Sequence, residues 1–241
     1  MTEEIKNGIF YGVSVGPGDP ELLSLKALRI LKECPVWAVP RTHRGNSLAL
    51  SIVEKILPAE GKEIIYLDFP MQKDPKLSRE NHQKQLRKIT PLLGQGINLA
   101  MPTLGDVSTF STVQYLVPYL EAAGFETVMI PGITSFAATA AKLSRSLTER
   151  DQPLVIIPAA NPQLDKFLKL PGTKVIMKAA KKNRELLKTL KDGGYIQRAA
   201  MVSNCGLEDE QVYPELTEVE AIDSYFSTII ISAAAEDQLF P

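Results

Sequence analysis

The sequence predicts an α/β protein with mostly parallel sheet. Two observations support this: apolar, β-rich runs alternate with amphipathic stretches of helical period, and several runs end directly in Gly- or Pro-bearing turns. In chain order, Ile9–Val15 (IFYGVSV) is a predicted buried strand and Glu21–Lys32 the helix after it. Asp19 is placed to cap that helix and Pro20 occupies its first turn, where a missing N–H costs nothing. Val36–Val39 is a short strand, Ser47–Ile56 a helix opened by Asn46, and Glu63–Leu67 a strand. Helix Arg79–Leu93, strand Ile97–Met101 and helix Ser111–Ala123 follow, the last closed by Gly124. Strand Thr127–Ile130 ends at Pro131-Gly132. The alternation then continues through helix Ile133–Leu143, strand Leu154–Ile157, helix Leu164–Leu168, strand Val175–Lys178, helix Asn183–Leu190 and strand Ala199–Ser203. Thr228–Ser232 is the last strand.

A chain of 241 residues accommodates one large domain or two modest ones. Helix Ser111–Gly124 is a plausible connector, which places a boundary near Pro118 and gives units 1–118 and 119–241. With 44% hydrophobic and 23% charged residues the composition is globular, and a formal net charge of -1 gives no global basic field for nucleic acid. Met1–Ile9 lacks the pattern of a signal peptide, and no apolar run approaches the ~20 residues of a membrane span. The expectation is a cytoplasmic protein without a membrane or nucleic-acid partner. Cys34 and Cys205 form no CxxC pair and read as buried free thiols. His43 and His82 are the only histidines, so a zinc site or a His-based triad has little to be built from.

Three strand-ending turns carry the signal, since ligands of open α/β sheets bind at the carboxyl ends of strands. The first, Gly16-Pro17-Gly18-Asp19, runs into a helix N-terminus and has glycines that leave room for a ligand. It is not GxGxxG, because Pro17 interrupts it and Asp19 puts negative charge where a pyrophosphate would lie. The second, Leu104-Gly105-Asp106, is followed by a Ser/Thr cluster. Its carboxylate suits hydroxyl or ammonium groups of a small ligand, or else Asp106 or Ser108 simply caps the next helix. The third, Pro131-Gly132, precedes Thr134-Ser135 at the mouth of an Ala-rich helix.

VGPGDPELLSLKA, then GD with a downstream Ser/Thr cluster, then PGITSFAA, in this order and spacing, resemble the tetrapyrrole methylase family over essentially the whole chain. The resemblance implies two α/β domains of the tetrapyrrole methylase type, with S-adenosyl-L-methionine in the cleft between them, and a homodimer. Phe69–Asp74, GDVSTFST (Gly105–Thr112), PGITSFAATAA (Pro131–Ala141) and Val175–Lys178 are most similar to the precorrin-2 and cobalt-factor II C(20)-methyltransferases. That subfamily implies methyl transfer to a meso carbon of the macrocycle in cobalamin biosynthesis. One residue departs from the family pattern: the second motif usually reads GDP, and here Val107 stands in place of the proline.

By the same resemblance, Pro17 lies against the cofactor, and Leu104, Gly105 and Asp106 contact its methionine portion, Asp106 being a candidate for its ammonium group. Phe110, Thr134, Ser135, Lys178 and Thr228 complete the implied cofactor set. Methyl transfer from a sulfonium requires alignment and exclusion of water more than a protein nucleophile, and no catalytic residue is nominated. A polycarboxylate tetrapyrrole calls for cations: Arg41, His43 and Arg44 form the best local group, and Lys142, Arg145 and Arg150 a second. Three other readings remain at this point. One is methylation at another tetrapyrrole position or of a protein or RNA by the same fold. The others are a nucleotide-dependent oxidoreductase, disfavoured by Pro17, and a non-catalytic tetrapyrrole binder.

Overall fold

The computed structural model describes residues 6–41, 45–70, 74–179 and 183–234. The chain divides into two units, Met1–Thr134 and Ser135–Pro241, each built on its own five-stranded sheet.

The first sheet contains β1 (Phe10–Ser14), β2 (Val36–Arg41), β3 (Glu63–Asp68), β4 (Leu99–Thr103) and β5 (Thr127–Ile130), in the order β3-β2-β4-β1-β5. Every pairing is parallel. Central β4 is buried along its whole length, whereas edge strand β3 exposes Glu63 and Tyr66 and fully buries only Leu67. Side chains alternate between the faces. Phe10, Val36, Ala38, Leu99 and Met101 join one core with Leu86, Ile89 and Leu93 of α3 (Pro75–Gly94) and Leu120 of α4 (Val117–Ala122). Trp37 belongs to the other face and donates its indole N–H to Leu31 O of α1 (Leu25–Glu33) at 3.0 Å. With α2 (Leu48–Glu54), α1 packs on the strands from that side.

The second sheet contains β6 (Leu154–Pro158), β7 (Thr173–Met177), β8 (Ala199–Ser203), β9 (Gln211–Tyr213) and β10 (Ser227–Ile231), in the order β6-β7-β10-β8-β9. Only β6 and β7 pair in parallel; β10 runs antiparallel to β7 and β8, and β9 to β8. The expected mostly parallel arrangement therefore describes the first sheet and not the second, because no crossover helix follows β8 to return the chain in the same direction. Ile176, Ile229 and Ile231 face a core with Leu168 of α6 (Leu164–Leu168) and Leu187 of α7 (Asn183–Asp192). Val175 and Ile230 face Ala140 of α5 (Ser135–Lys142). Among the described residues no helix is long and apolar enough to cross a membrane.

Several elements differ from expectation for local reasons. The helix expected over Glu21–Lys32 is a 3-10 turn, Pro20–Leu22, followed by α1. Asp19 accepts from Glu21 N at 2.9 Å and Ser24 from Ala27 N at 3.2 Å, so two caps in succession divide the segment. Ser47, not Asn46, caps α2. The long helix starts at Pro75, earlier than Arg79, because Asp74-Pro75 supplies both cap and first-turn proline. The helix expected over Ser111–Ala123 breaks into a 3-10 turn, Thr112–Tyr115, and α4, with Pro118 in the first turn of α4. Strand β5 pairs with β1, so the first sheet is incomplete until Ile130. The division falls after Thr134 rather than near Pro118. The three-residue β9, largely exposed, gave no apolar signal to read.

Gly12 in β1 has no room for a side chain: a Cβ there would lie 2.8 Å from Val113 Cγ1 and 2.9 Å from Val107 Cγ2. Gly12→Ala is expected to destabilise the first unit by about 1–3 kcal/mol. Combined with Val113→Ala, which vacates part of that space, it should cost less than the sum of the two single changes in urea unfolding.

Candidate functional site

Because β4, β1 and β5 are neighbours in the first sheet, the turns that follow them meet at one edge. Gly16 and Gly105 form an antiparallel bridge, Gly16 N to Gly105 O at 3.2 Å and Gly105 N to Gly16 O at 2.7 Å. Both glycines have positive φ, 75° and 72°, which this pairing of two tight turns requires. The third turn closes in as tightly. A Cβ on Gly132 would lie 2.4 Å from Ser14 Cβ and 3.3 Å from Gly105 O.

Asp106 joins the end of β1, just before the first turn, to the second and third turns. One carboxylate oxygen accepts from Ser108 N at 2.9 Å and from Ser108 Oγ. The other accepts from Gly132 N at 2.9 Å and from Ser14 Oγ at 3.5 Å. Ser14 Oγ in turn accepts from Val107 N at 2.8 Å. A proline at position 107 would have no N–H to give, so the departure from the family's GDP pattern supplies a bond between the end of β1 and the second turn. Asp106 is 7% exposed. Burial pushes its carboxyl up, but the bonds from Ser108, Gly132 and Ser14 outweigh that and hold it below the ordinary carboxylate range. A carboxylate offers about four acceptor sites, and four bonds engage them here. Direct contact with a ligand ammonium would require one of these bonds to be given up.

Space remains beside the clamp. A Cβ on Gly105 would meet nothing within 4 Å, so the backbone there borders an open cradle that a side chain would fill. Leu104 is half-buried and Pro17 buried. Phe110 is 45% exposed with φ 50°, an uncommon conformation for an aromatic residue. Thr134 closes the first unit two residues beyond Gly132.

The other nominated residues gather in the second unit. Thr228 of β10 pairs opposite Met177, the last residue of β7, and Lys178 follows with φ 60°. Thr228 Oγ1 donates to Ser135 Oγ at 3.4 Å. Lys178 Nζ lies 5.9 Å from the centre of the Tyr225 ring.

Of the nominated cations, His43 and Arg44 lie outside the described residues. Arg41 ends β2, donates from Nε to Asp68 at 2.7 Å, and covers the Tyr66 ring at 5.0 Å. The second set is engaged in structural contacts of its own unit: Lys142 pairs with Glu210 at 2.9 Å, and Arg145 donates to Pro214 O at 2.8 Å. Arg150 lies in a turn with φ 53°. Ser14 is the residue that reading the sequence missed. Its signal was available: it is the one small polar residue of the apolar run Ile9–Val15 and is 1% exposed.

A parallel sheet with three glycine turns clasped at one edge, joined in sequence to a mixed sheet, defines a class of fold that known proteins share. The profile of the Tetrapyrrole (Corrin/Porphyrin) Methylases matches residues 10–220, and the chain belongs to that family. The probable cobalt-precorrin-2 C(20)-methyltransferase of Methanocaldococcus jannaschii is 34% identical over 225 residues, covering 92% of this chain and 94% of the relative. The cobalt-precorrin-2 C(20)-methyltransferase of Salmonella typhimurium is 32% identical over 231 residues, 94% and 97% of the two chains. Among solved structures, uroporphyrin-III C-methyl transferase from Thermus thermophilus complexed with S-adenyl homocysteine superimposes with TM-score 0.68 at 25% identity. It covers 93% of this chain and 97% of its own.

Asp106→Asn replaces an acceptor oxygen by a donor amide and leaves buried N–H or O–H groups unpaired. It is expected to lower stability at neutral pH by about 1–3 kcal/mol. Because the Asp106 pKa is lowered in the folded state, the carboxylate's contribution is complete above the unfolded value, about 4, and disappears as pH falls through the folded one. The gap between the two proteins in denaturant unfolding should therefore narrow towards acid pH.

Proposed function

We propose that this protein transfers a methyl group from S-adenosyl-L-methionine to the C(20) meso carbon of precorrin-2 or cobalt-factor II in cobalamin biosynthesis. The observation that carries the reading is the meeting of three separate turn motifs in one glycine-lined bed. It is supported by alignment over nearly the whole chain with relatives named for that reaction. The open side of Gly105 beside a buried carboxylate suits a compact, positively charged ligand. When bound, S-adenosyl-L-methionine supplies a methyl group on a sulfonium centre that departs as a neutral thioether.

We assign Pro17, Leu104, Gly105, Asp106, Phe110 and Thr134 of the first unit, with Ser135, Lys178 and Thr228 of the second, to hold the cofactor. Asp106 acts chiefly by fixing the turns, and the main chain of Leu104–Gly105 meets the ligand. Arg41 is assigned to a carboxylate of the tetrapyrrole, with His43 and Arg44 as its sequence neighbours. The chain's task is to fix the acceptor carbon in line with the methyl group and keep water away, an alignment worth up to ~7–11 kcal/mol in good intramolecular cases. The family resemblance supports a homodimer in the cytoplasm as the working form.

The test is a mass-resolved methyl-transfer assay offering precorrin-2 and cobalt-factor II separately. One methyl group should be gained on one of them, with the new carbon at C(20) by ¹³C NMR. Asp106→Ala should cut kcat/KM by roughly a hundredfold, as misplacement of about 1 Å does. No methyl gain on either acceptor, with S-adenosylhomocysteine still bound, would contradict the C(20) assignment and direct the assay to uroporphyrinogen III.

A further inference from the structure

Beside β2 and β3, the first unit carries an aromatic cluster that none of the turn motifs includes. The rings of His82 and Tyr115 stack with centroids 4.8 Å apart and planes within 10°. Phe69 leans on both, at 6.2 Å from His82 and 6.5 Å from Tyr115. These residues come from the end of β3, the second turn of α3 and the 3-10 turn after the Asp106 loop. Tyr115 is 49% exposed, His82 is half-buried, and Phe69 packs against the core of the first sheet. Burial holds the His82 imidazole below its ordinary pKa, so the ring is neutral at neutral pH and adds no charge to the stack.

The cluster is rigidly backed. Asn81 Nδ2 donates to Asp68 O at 2.7 Å, Asp68 N donates to Gln85 Oε1 at 3.1 Å, and Gln85 Nε2 donates to Asn81 Oδ1 at 3.1 Å. Gln85 is 1% exposed. This amide triangle fixes α3 to the end of β3, and its members are sequence neighbours of Phe69 and His82. The Asp68 side chain receives both Arg41, at 2.7 Å, and Lys88, at 3.4 Å, so two cations share one carboxylate there. An exposed ring backed by a second, stacked ring suits a conjugated macrocycle, and the two cations gathered on Asp68, next to Phe69 in sequence, suit carboxylates on its periphery.

We propose that the exposed ring of Tyr115, backed by His82 and Phe69, is a shelf that takes one face of the tetrapyrrole macrocycle, with Arg41 engaging a peripheral carboxylate. The proposal rests on the methylase reading above and names the surface that would recognise its acceptor. Stacking of this kind is worth ≈ 0.5–1.5 kcal/mol per ring pair, about a three- to tenfold effect on affinity.

The experiment titrates cobalt-factor II and precorrin-2 into the wild type and into Tyr115→Leu, His82→Leu and Tyr115→Phe, following macrocycle absorption. KM and kcat for methyl transfer, S-adenosylhomocysteine affinity and melting temperature are measured alongside. The Leu variants should lose the absorption shift and raise the tetrapyrrole KM about three- to tenfold, with cofactor-product affinity and melting temperature unchanged. Tyr115→Phe, which keeps the ring, should behave as wild type. Methyl transfer with a wild-type KM in both Leu variants would overturn the shelf and leave the function standing. Losses of S-adenosylhomocysteine affinity and melting temperature in parallel with KM would also overturn it, showing that the cluster only supports the fold. A wild-type absorption shift that the Leu variants lose, without methylation of either compound, would leave the shelf standing and remove the C(20) reaction. No shift and no methylation would remove both.

Discussion

The four hydrogen bonds on the Asp106 carboxylate are the interaction on which the candidate site depends. They connect β1, through Ser14, the loop after β4, through Ser108, and the turn after β5, through the amide of Gly132. A buried carboxylate is costly unless paired or fully hydrogen-bonded, and here the bonds prevail: the group is held below the ordinary carboxylate range in spite of burial. Each of the three turns is conformationally demanding by itself, with Gly16 and Gly105 at positive φ and Gly132 pressed against Ser14. A shared acceptor makes the three conformations mutually dependent, which is how a ligand bed of main-chain atoms is kept preorganised.

Topology makes the clamp possible. Motifs nearly a hundred residues apart come together because β1 lies between β4 and β5 in a wholly parallel sheet, so all three strands deliver their carboxyl ends to one edge. Val107 adds to the same network twice. Its amide donates to Ser14 Oγ, and its side chain, 2% exposed, packs into the core that also holds Val113 and Leu116. The valine that departs from the family's usual proline is therefore built into both the hydrogen bonding and the packing of the loop.

Much of this was legible in the sequence, for identifiable reasons. The apolar runs Leu99–Thr103 and Ser227–Ile231 are buried throughout, and Phe10–Ser14 everywhere but Tyr11, which is why they read as strands. The Gly and Pro turns marked their ends, and the family followed from the order of those turns. The antiparallel half of the second sheet was not legible, because strand direction depends on connections and not on apolar period. The two divided helices were hidden for a different reason: Leu23 and Leu116 continue an apolar pattern across breaks that Ser24 and Pro118 impose. Asp106 was read as a ligand group or a cap. Its bond to Ser108 N is local, but the bonds to Ser14 and Gly132 span 92 and 26 positions and have no sequence periodicity to reveal them.

Asp106 and Ser14 act as one unit in shaping the candidate site. The most direct measurement is a double-mutant cycle on S-adenosylhomocysteine affinity with Ser14→Ala, Asp106→Asn and the pair, by calorimetry. If the turns are held jointly, the two losses are strongly non-additive, with a coupling of about 0.5–3 kcal/mol and the double variant little worse than the poorer single one. Additive losses, or Asp106→Asn binding as tightly as wild type, would show that the turns are held independently.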